Sequence, residues 1–494
     1  MVLPDLLLMP YDRLMATHPS IPSKLWDRTP REVQDYILAL EARVAALEAT
    51  VQELMERLQQ DSRTSSRPPS SDPPERRRPR RQPSGRRPGG QAGHQGQTRT
   101  LLPVEDVDVV IPLKPEQCAR CQQPLMGNDA HPQRHQVIEI PPTRPVVTEY
   151  QVHQLVCPIC GDATRAAWPD GVPTRAYGSR VQAITALCTG AYRLSKRTTQ
   201  QLLADLFGVS MSLGTISTLE AATVAAVAAP VEEARAYVQE QATASLDETG
   251  WRQGGQRAWL WVAVTTWVTV FLVRLSRGGE VARELLGPAF DGILVTDRWS
   301  AYNWYPVRWR QLCWAHLLRD IEAMIGRGGR SQDIGEALRR HVHQMFHGWH
   351  RVRDGTLKRS SFRNYMTPVR REVERLLEAG SRCGVPKTEG VCRDILKRRE
   401  ALWTFVHLEG VEPTNNASER AIRPGVLWRK GSFGTQSAQG SRFVEAMMTV
   451  VATLKQQHRN PLDYLMAACE AALRDEAAPS LLPAVDSACQ QTVA

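Results

Sequence analysis

Residues 243–325 alternate strand-like and helix-like segments, and the order of these segments restricts the possible folds more than any other feature. Strands are predicted at "TASLDET", "AWLWVAV", "VTVFLVRL" and "GILVTD", with a helix at "GEVARELLG" before the last of them. A fifth strand and a helix follow in "RQLCWAHLLRDIEAM". The predicted order, β-β-β-α-β-α-β-α, indicates a mixed sheet covered by helices. Its first and fourth strands end in Asp247 and Asp297, and such strand ends can lie side by side.

Two carboxylates that face each other repel, which favours a bound cation between them. Magnesium is a hard cation that prefers oxygen ligands, so it is the expected ion. A third acid on a following helix would complete a site for two magnesium ions, which activate the attacking and leaving oxygens of a phosphodiester. The candidate for this third acid is Glu419, in "EPTNNASERAIRPG".

Glu419 also has a purely structural interpretation. If Asn416 caps a helix, Glu419 falls at the third helical position and could close a capping box. The same segment carries Arg420 and Arg423, whose guanidinium groups suit phosphate, and the Asn416 amide offers hydrogen bonds. A phosphoryl-transfer site needs this combination, and on chemistry alone both interpretations stay open.

The chain has 494 residues, enough for several domains, and a net charge of +10, which suggests an acidic partner. Much of the excess lies in a Pro- and Gly-rich linker at 61–100, where residues 61–99 hold ten Arg against three acids. Such a segment cannot bury enough apolar surface to order itself alone. It is either a simple spacer or a segment that lies on DNA phosphates, and the two roles are compatible.

The N-terminal segment, residues 1–60, contains a heptad repeat typical of a coiled coil. Its apolar positions alternate spacings of four and three: Val33, Ile37, Leu40, Val44, Leu47, Val51, Leu54 and Leu58. Mostly β-branched residues at one core position and Leu at the other favour two parallel strands, so the interpretation is a homodimer. The alternative is a single amphipathic helix packed on its own domain.

Two CxxC pairs at 101–175 predict a zinc ribbon. Cys118 and Cys121 form the first pair, and Cys157 and Cys160 the second, with 35 residues between the pairs that alternate as strands do. Four thiolates suit a closed, structural zinc site. His153 is an alternative ligand, although an ordinary strand histidine is the simpler interpretation.

Residues 176–240 are helical in pattern and contain the spacing of a helix-turn-helix. Gly208 permits the turn, and Ser212 is the candidate N-cap of the recognition helix, whose inner face carries Ile216 and Leu219. We expect DNA contact here, although helix pairs of this shape also occur without a DNA role.

Four motifs in order, "LDETGWR", "TDRWSAY", "CWAHLLRD" and "NNASERAIRP", resemble the catalytic core of insertion sequence 66 family transposases. The resemblance covers roughly residues 30–475. It implies a ribonuclease-H-like fold of the aspartate-aspartate-glutamate class, with Asp247, Asp297 and Glu419 as the magnesium-binding triad. It also implies that His316 lies beside them and contacts DNA or a metal-bound water, unless it only packs at a helix start.

The fold class that follows is multidomain α/β. The ribonuclease-H-like core would occupy 241–325, be interrupted by a helical insertion at 326–405, and end with a helix at 406–438. A C-terminal helical element and tail would fill 439–494. The sequence departs from the expected family pattern after the second aspartate, where Arg298 and Trp299 stand in place of a small residue.

The function implied is a DNA transposase that binds double-stranded DNA at the element ends and at the target. Accessory proteins encoded by the same element are further implied partners. The longest apolar run, Ala258–Val273, has sixteen residues and is short for a membrane span of roughly 20. A cytoplasmic, nucleoid-associated protein is therefore expected. The alternatives are a DNA-binding regulator or inactive remnant of a transposase, and a structure-selective nuclease.

Overall fold

The computed structural model describes residues 26, 28–59, 99–173 and 175–483, so all but the last two residues of the predicted linker lie outside the described residues. The chain divides into two compact units. The larger is made of Glu75–Ala315, Asp354–Arg370 and Lys397–Ala494, and the smaller of Met1–Pro74, His316–Arg353 and Arg371–Leu396. The three candidate catalytic acids all belong to the larger unit.

The predicted heptad segment forms one helix, α1 (Arg31–Gln59). Its apolar seam is open to solvent. Five seam residues are between 44% and 58% exposed, namely Val33, Leu40, Val44, Leu47 and Val51. Most helical stability in proteins comes from packing an apolar face, and this seam is the face that the predicted coiled-coil pairing would bury.

Residues 99–173 contain little regular structure. A short 3₁₀ helix spans Val104–Asp106, and an antiparallel pair, β1 (Gln154–Val156) and β2 (Ala163–Arg165), flanks the second cysteine pair. The prediction of strands between the two cysteine pairs is wrong for residues 135–153, which form no strand.

The physical reason is that the alternating side chains of this segment have nothing to pack against. Val137 is 78% exposed and Val146 is 94% exposed, so alternation there buries neither face. Pro141, Pro142 and Pro145 also lack the amide donors that a strand ladder uses.

Four helices follow in the larger unit: α2 (Ser179–Thr189), α3 (Lys196–Phe207), α4 (Leu213–Ala226) and α5 (Ala228–Gln239). Gly208 ends α3 with a φ of +64°, and the Ser212 hydroxyl accepts a hydrogen bond from the Thr215 N–H at 3.1 Å. The predicted turn and N-cap are therefore confirmed. No single helix in the described part of the chain is long and apolar enough to cross a membrane, and α4 and α5 pass such a test only as a pair bent by 48°.

One mixed sheet of five strands forms the centre of the larger unit. The strands are β3 (Thr243–Gln253), β4 (Gln256–Val264), β5 (Thr269–Arg274), β6 (Ile293–Thr296) and β7 (Arg310–Leu312). Their order is β5-β4-β3-β6-β7. The first three strands are antiparallel, whereas β6 joins β3, and β7 joins β6, in parallel.

The first strand is longer than predicted and does not end at Asp247. It continues to Gln253 and turns back through Gly254 and Gly255, whose φ values are +57° and +80°. Two residues with positive φ make the tight turn that joins antiparallel strands, and glycine adopts it without strain. Asp247 therefore lies inside β3. The predicted hairpin within Ala258–Val273 is confirmed as β4 and β5.

Helix α6 (Gly279–Leu286) leads to β6 as predicted, but no α-helix joins β6 to β7. Two short 3₁₀ helices, Ser300–Tyr302 and Val307–Trp309, make this connection. Tyr302 and Tyr305 are buried and fix the segment to the core. Pro306 lacks an amide donor and disfavours helical backbone at the residue before it, so a continuous helix is interrupted.

The segment predicted as a helical insertion is helical. It contains α8 (Gly329–Arg353), α9 (Arg359–Gly380) and α10 (Pro386–Leu396), and it overlaps the end of α7 (Trp314–Gly326) and the start of α11 (Thr404–His407). The last elements of the chain are α12 (Asn416–Ser432), α13 (Ala438–Gln456) and α14 (Pro461–Leu473).

The sheet has apolar clusters on both faces. On one face Leu260 and Val262 of β4 pack with Ile422 of α12 and Met448 of α13. The other face contributes Trp261 and Ala263 to a larger cluster that includes residues of α2, α5, α6, α13 and α14. The alternation of β4 therefore serves two cores, which explains its nearly unbroken apolar sequence.

Helix α13 covers the open edge of the sheet at β5. Side chains four residues apart on α13 accept hydrogen bonds from alternate amides of β5. The pairs are Glu445 with Val273 at 2.7 Å, Thr449 with Phe271 at 3.0 Å, and Thr453 with Thr269 at 3.1 Å. An uncovered edge strand presents unpaired amides to other chains, and α13 satisfies them instead.

We predict that Thr449→Val together with Thr453→Val destabilises the larger unit by about 2–4 kcal/mol. Each change keeps the side-chain shape but leaves one buried amide of β5 unpaired, at about 1–3 kcal/mol each. Chemical denaturation followed by circular dichroism measures the effect. Thr367→Val is the control, because the hydroxyl of Thr367 is exposed and bonds only within its own helix at 3.2 Å. An unchanged unfolding midpoint in the double variant would show that α13 does not satisfy the edge.

Candidate active site

Parallel pairing of β3 with β6 places the two candidate aspartates at one level of the sheet. Ser245 lies opposite Val295 in this ladder. Asp247 and Asp297 each follow two residues later, and side chains two residues apart on a strand point to the same face. The strand register therefore brings together the two carboxylates that the sequence placed 50 residues apart.

Glu419 reaches the same place from α12. The Ser418 hydroxyl is 3.0 Å from the Ser245 hydroxyl, which fixes the first turn of α12 against β3. The Cys313 sulfur and a Glu419 carboxylate oxygen lie within 4.8 Å of each other. Cys313 follows β7, and its N–H donates to the Thr296 carbonyl at 2.8 Å, directly before Asp297.

The carboxylates lie close enough to affect one another electrostatically. Burial raises the pKa of Asp247 well above its ordinary value, and repulsion from Glu248, Asp297 and Glu419 raises it further. One hydrogen bond, from the Glu248 N–H at 2.9 Å, acts in the opposite direction. The largest charge effects on the pKa of Asp247 thus come from carboxylates. A set of oxygen donors with this excess of negative charge fits a hard divalent cation.

The start of α12 differs from the sequence-based expectation. Asn415, and not Asn416, is the N-cap, and its side chain makes no capping bond. Asn416 is the first residue of the helix and is exposed. Glu419 is therefore the fourth helical residue, and its N–H donates to the Asn415 carbonyl at 3.1 Å. A capping box uses the third position, so this geometry removes that explanation for Glu419.

Glu248 lies on the opposite face of β3, where its carboxylate is satisfied locally. Arg277 donates to Oε1 at 2.7 and 2.9 Å, and the Tyr302 hydroxyl donates to Oε2 at 2.6 Å. Burial and repulsion from Asp297 raise the pKa of Glu248, while these two donors lower it. Arg277 and Tyr302 were not predictable as site residues, because nothing in their local sequence signals a partner on β3.

Trp299 is one of the two residues that depart from the family pattern. It connects Asp297 to Arg277, one of the two donors to Glu248. Its N–H donates to Asp297 Oδ1 at 2.8 Å, and its ring stacks on the Arg277 guanidinium, 3.9 Å from the ring centroid. Such a cation–π contact restrains both side chains. The large residue after the second aspartate therefore orients that aspartate.

Arg310 is a second residue that the sequence did not indicate. It is 1% exposed on β7, and its guanidinium donates to the Thr296 hydroxyl at 3.0 Å and to the Asp297 carbonyl at 3.2 Å. Burial lowers the pKa of Arg310 to about 10, so it remains cationic at neutral pH. It places positive charge behind Asp297.

The two cysteine pairs form matching turns. The Cys118 N–H donates to the Gln123 carbonyl at 2.9 Å, as the Cys157 N–H does to Asp162 at 2.8 Å. Amide donors from the second cysteine of each pair lower the pKa of Cys118 and Cys157, which favours the metal-binding thiolate. Within the described residues, no three of the four sulfurs come within 4.8 Å of one another.

Comparison with known proteins identifies the family of the chain. A family model described as transposase IS66 family matches residues 176–443, more than half of the chain. The chain belongs to the IS66 transposase family. A second model, a family of unknown function (DUF6444), matches residues 21–100.

A relative in Sinorhizobium fredii, the uncharacterized protein y4qI, is 30% identical to this IS66-family chain. The match covers 42% of this chain and 42% of that protein, so it spans less than half of the length of the relative.

The remaining predicted site residues of this IS66-family protein lie on helices. Arg420 and Arg423 are exposed on α12, next to Glu419 in the chain. His316 is half-buried in the first turn of α7, a helix that begins at Trp314.

We predict that Asp247→Asn raises the melting temperature of the metal-free protein near neutral pH by about 2 °C or more. The folded-state pKa of Asp247 is raised, so its contribution to stability is complete below about pH 3.9 and is lost as the pH rises through the raised value. Asparagine avoids this loss. Thermal unfolding in EDTA measures the effect, and the advantage should disappear in acid.

The matched control is Asp291→Asn, which removes an exposed carboxylate at the other end of β6 and should leave the melting temperature unchanged. A melting temperature of Asp247→Asn at or below that of the wild type near neutral pH would contradict the electrostatic description of the site.

Proposed function

We propose that this IS66-family protein is a DNA transposase with a ribonuclease-H-like catalytic core. The observation that carries the proposal is the convergence of Asp247, Asp297 and Glu419 from β3, the end of β6 and α12. The strand order β5-β4-β3-β6-β7, with three antiparallel strands and two added in parallel, supports the assignment of the core.

In this proposal Asp247, Asp297 and Glu419 hold two magnesium ions. When bound, these ions supply the positive charge that stabilises both the attacking and the leaving oxygen of a phosphodiester. Trp299 and Arg310 orient Asp297. The hydrogen bonds of Glu248 with Arg277 and Tyr302 hold β3 against the segment that contains Tyr302. Arg420 and Arg423 bind DNA phosphates beside the triad. Asn416 donates a hydrogen bond to the same DNA backbone, and His316 contacts DNA.

Recognition of DNA is assigned to the N-terminal half of the chain. The helix pair α3–α4 would bind the element ends, and the basic linker would add contacts with phosphates. Cys118, Cys121, Cys157 and Cys160 would hold one structural zinc ion, for which their two matching turns are suited. Target DNA, accessory proteins of the same element and a nucleoid location complete the proposal.

The decisive experiment measures strand cleavage and strand transfer on DNA that carries the ends of the element, with magnesium present. We expect the wild type to nick at the element boundary, and Asp297→Ala and Glu419→Gln to bind DNA but lose activity by about 10³-fold or more. Asp291→Asn is the matched control and should cut normally. Binding without cutting by the wild type would favour a DNA-binding regulator, and cutting that survives Glu419→Gln would exclude Glu419 from the triad.

A separate prediction concerns the proposed coiled-coil dimer. Leu40→Lys together with Leu47→Lys should convert a dimer into a monomer, because two charges per helix cannot be buried in an apolar seam. Light scattering coupled to size-exclusion chromatography measures the mass. The control, Ala42→Lys with Ala46→Lys, adds two lysines on the exposed side of α1 away from the seam and should leave the dimer intact. A wild-type monomer would refute the role of α1 in association.

A further inference from the structure

Phe433 stands where helix termination favours glycine. It follows the last residue of α12 and ends the helix with a left-handed φ of +61°, a conformation costly for residues with a side chain. Its ring is also 76% exposed. Neither helix termination nor core packing therefore accounts for a phenylalanine at this position.

The backbone around Phe433 is held firmly. The Phe433 N–H donates to the Arg429 carbonyl at 2.7 Å, and the Thr435 N–H donates to the Arg252 carbonyl of β3 at 2.9 Å. The Thr435 carbonyl in turn accepts from the Gly254 N–H at 2.9 Å. Gly434, between Phe433 and Thr435, lies so close to β3 that a Cβ atom would clash with the Arg252 carbonyl. The ring of Phe433 thus projects from a rigid support, and strain held in this way is typical of functional positions.

The surroundings of Phe433 are basic. The exposed side of α12 carries Arg420, Arg423, Leu427 and Lys430, whereas Ile422 and Gly425 on its other side are buried. Residues 420–444 contain five basic residues and no acid. Arg252 and Arg257, which lie opposite each other near the turn of the β3–β4 hairpin, are exposed as well. A polyanion fits this surface better than an apolar protein face does.

The length of α12 sets the distance between Phe433 and the triad. Phe433 lies fourteen positions after Glu419, which is about 21 Å along a helix at 1.5 Å per residue. Duplex DNA rises about 3.4 Å per base pair, so this length corresponds to about six base pairs.

We propose that the exposed side of α12 binds duplex DNA along its phosphates and that Phe433 inserts between two base pairs about six steps from the scissile phosphate. Apolar side chains that insert in this way unstack one base step and kink the duplex. The inference rests on the proposed function, because it takes the triad as the position of the scissile phosphate. It adds a binding role that the triad chemistry does not require.

The test uses the full-length protein in EDTA, with duplexes that carry the element end and one mismatched base pair. The mismatch is moved through positions on either side of the one about six base pairs from the boundary. A mismatch lowers the cost of unstacking, so the wild type should bind one of these duplexes about 10-fold more tightly than the fully paired duplex. Fluorescence anisotropy measures the affinity.

Phe433→Gly separates binding from folding. Glycine adopts a positive φ without strain, so the melting temperature should be unchanged or higher, while the preference for the mismatch should disappear. Phe433→Trp should retain the preference, because an aromatic ring remains. Lys430→Ala is the matched control, since it removes a phosphate contact and should weaken binding to paired and mismatched duplexes equally.

An equal preference in the wild type and Phe433→Gly, or no preference at any position, would overturn the inference. A change of oligomeric mass in Phe433→Gly with no change in DNA binding would also overturn it and indicate a protein partner. Cleavage assayed separately with magnesium distinguishes the two proposals. A wild type that cuts but lacks the preference loses only the Phe433 role, whereas one that keeps the preference but never cuts loses only the transposase activity.

Discussion

The parallel pairing of β3 with β6 is the contact on which the candidate site depends. It spans only three residues of each strand, Thr243–Ser245 and Ile293–Val295. Beyond it β3 remains paired with β4, while β6 ends at Thr296 and leads into the 3₁₀ segment. The two aspartates follow just where the parallel ladder stops, and α12 packs there with Ser418 against Ser245. A shift of one residue in this register would turn Asp247 to the other face of the sheet.

Asp247 and Glu248 lie on opposite faces of β3 and have different electrostatic surroundings. Glu248 has two donors and is neutralised within the fold, so it serves structure. Burial and three neighbouring carboxylates raise the pKa of Asp247, so its ionised form costs stability. A buried carboxylate with a strongly raised pKa is typical of functional sites. Trp299 and Arg310 hold Asp297 in place from two sides.

Helices α12 and α13 each combine packing in the core with a second role. Helix α12 buries Ile422 on the sheet and exposes a basic side to solvent, so the element that positions Glu419 also provides a surface for a polyanion. Helix α13 contributes Met448 to the core and uses Glu445, Thr449 and Thr453 to satisfy the amides of β5. A helix can replace a sixth strand here because residues four apart on α13 match residues two apart on β5 in spacing, about 6 Å in both cases.

Local features of the fold were predictable from the sequence. Gly208 and Ser212 mark helix boundaries because their effects on backbone geometry act within one turn. The β4–β5 hairpin follows from apolar runs separated by polar residues, and the choice of the three candidate acids rests on short motifs that resemble a family. The same local reasoning placed the cap of α12 one residue too late, at Asn416.

Only the tertiary structure decided the rest, because it depends on contacts between distant parts of the chain. Pairing with β4 carried β3 past Asp247, and exposure of both faces left 135–153 without strands. The partners of Glu248 and Asp297 come from other elements, and no local pattern records them. The sequence by itself therefore indicated the candidate catalytic residues and determined where several elements begin and end. Strand register and helix packing determined which of those residues meet, since their energies come from surfaces buried between elements far apart in sequence.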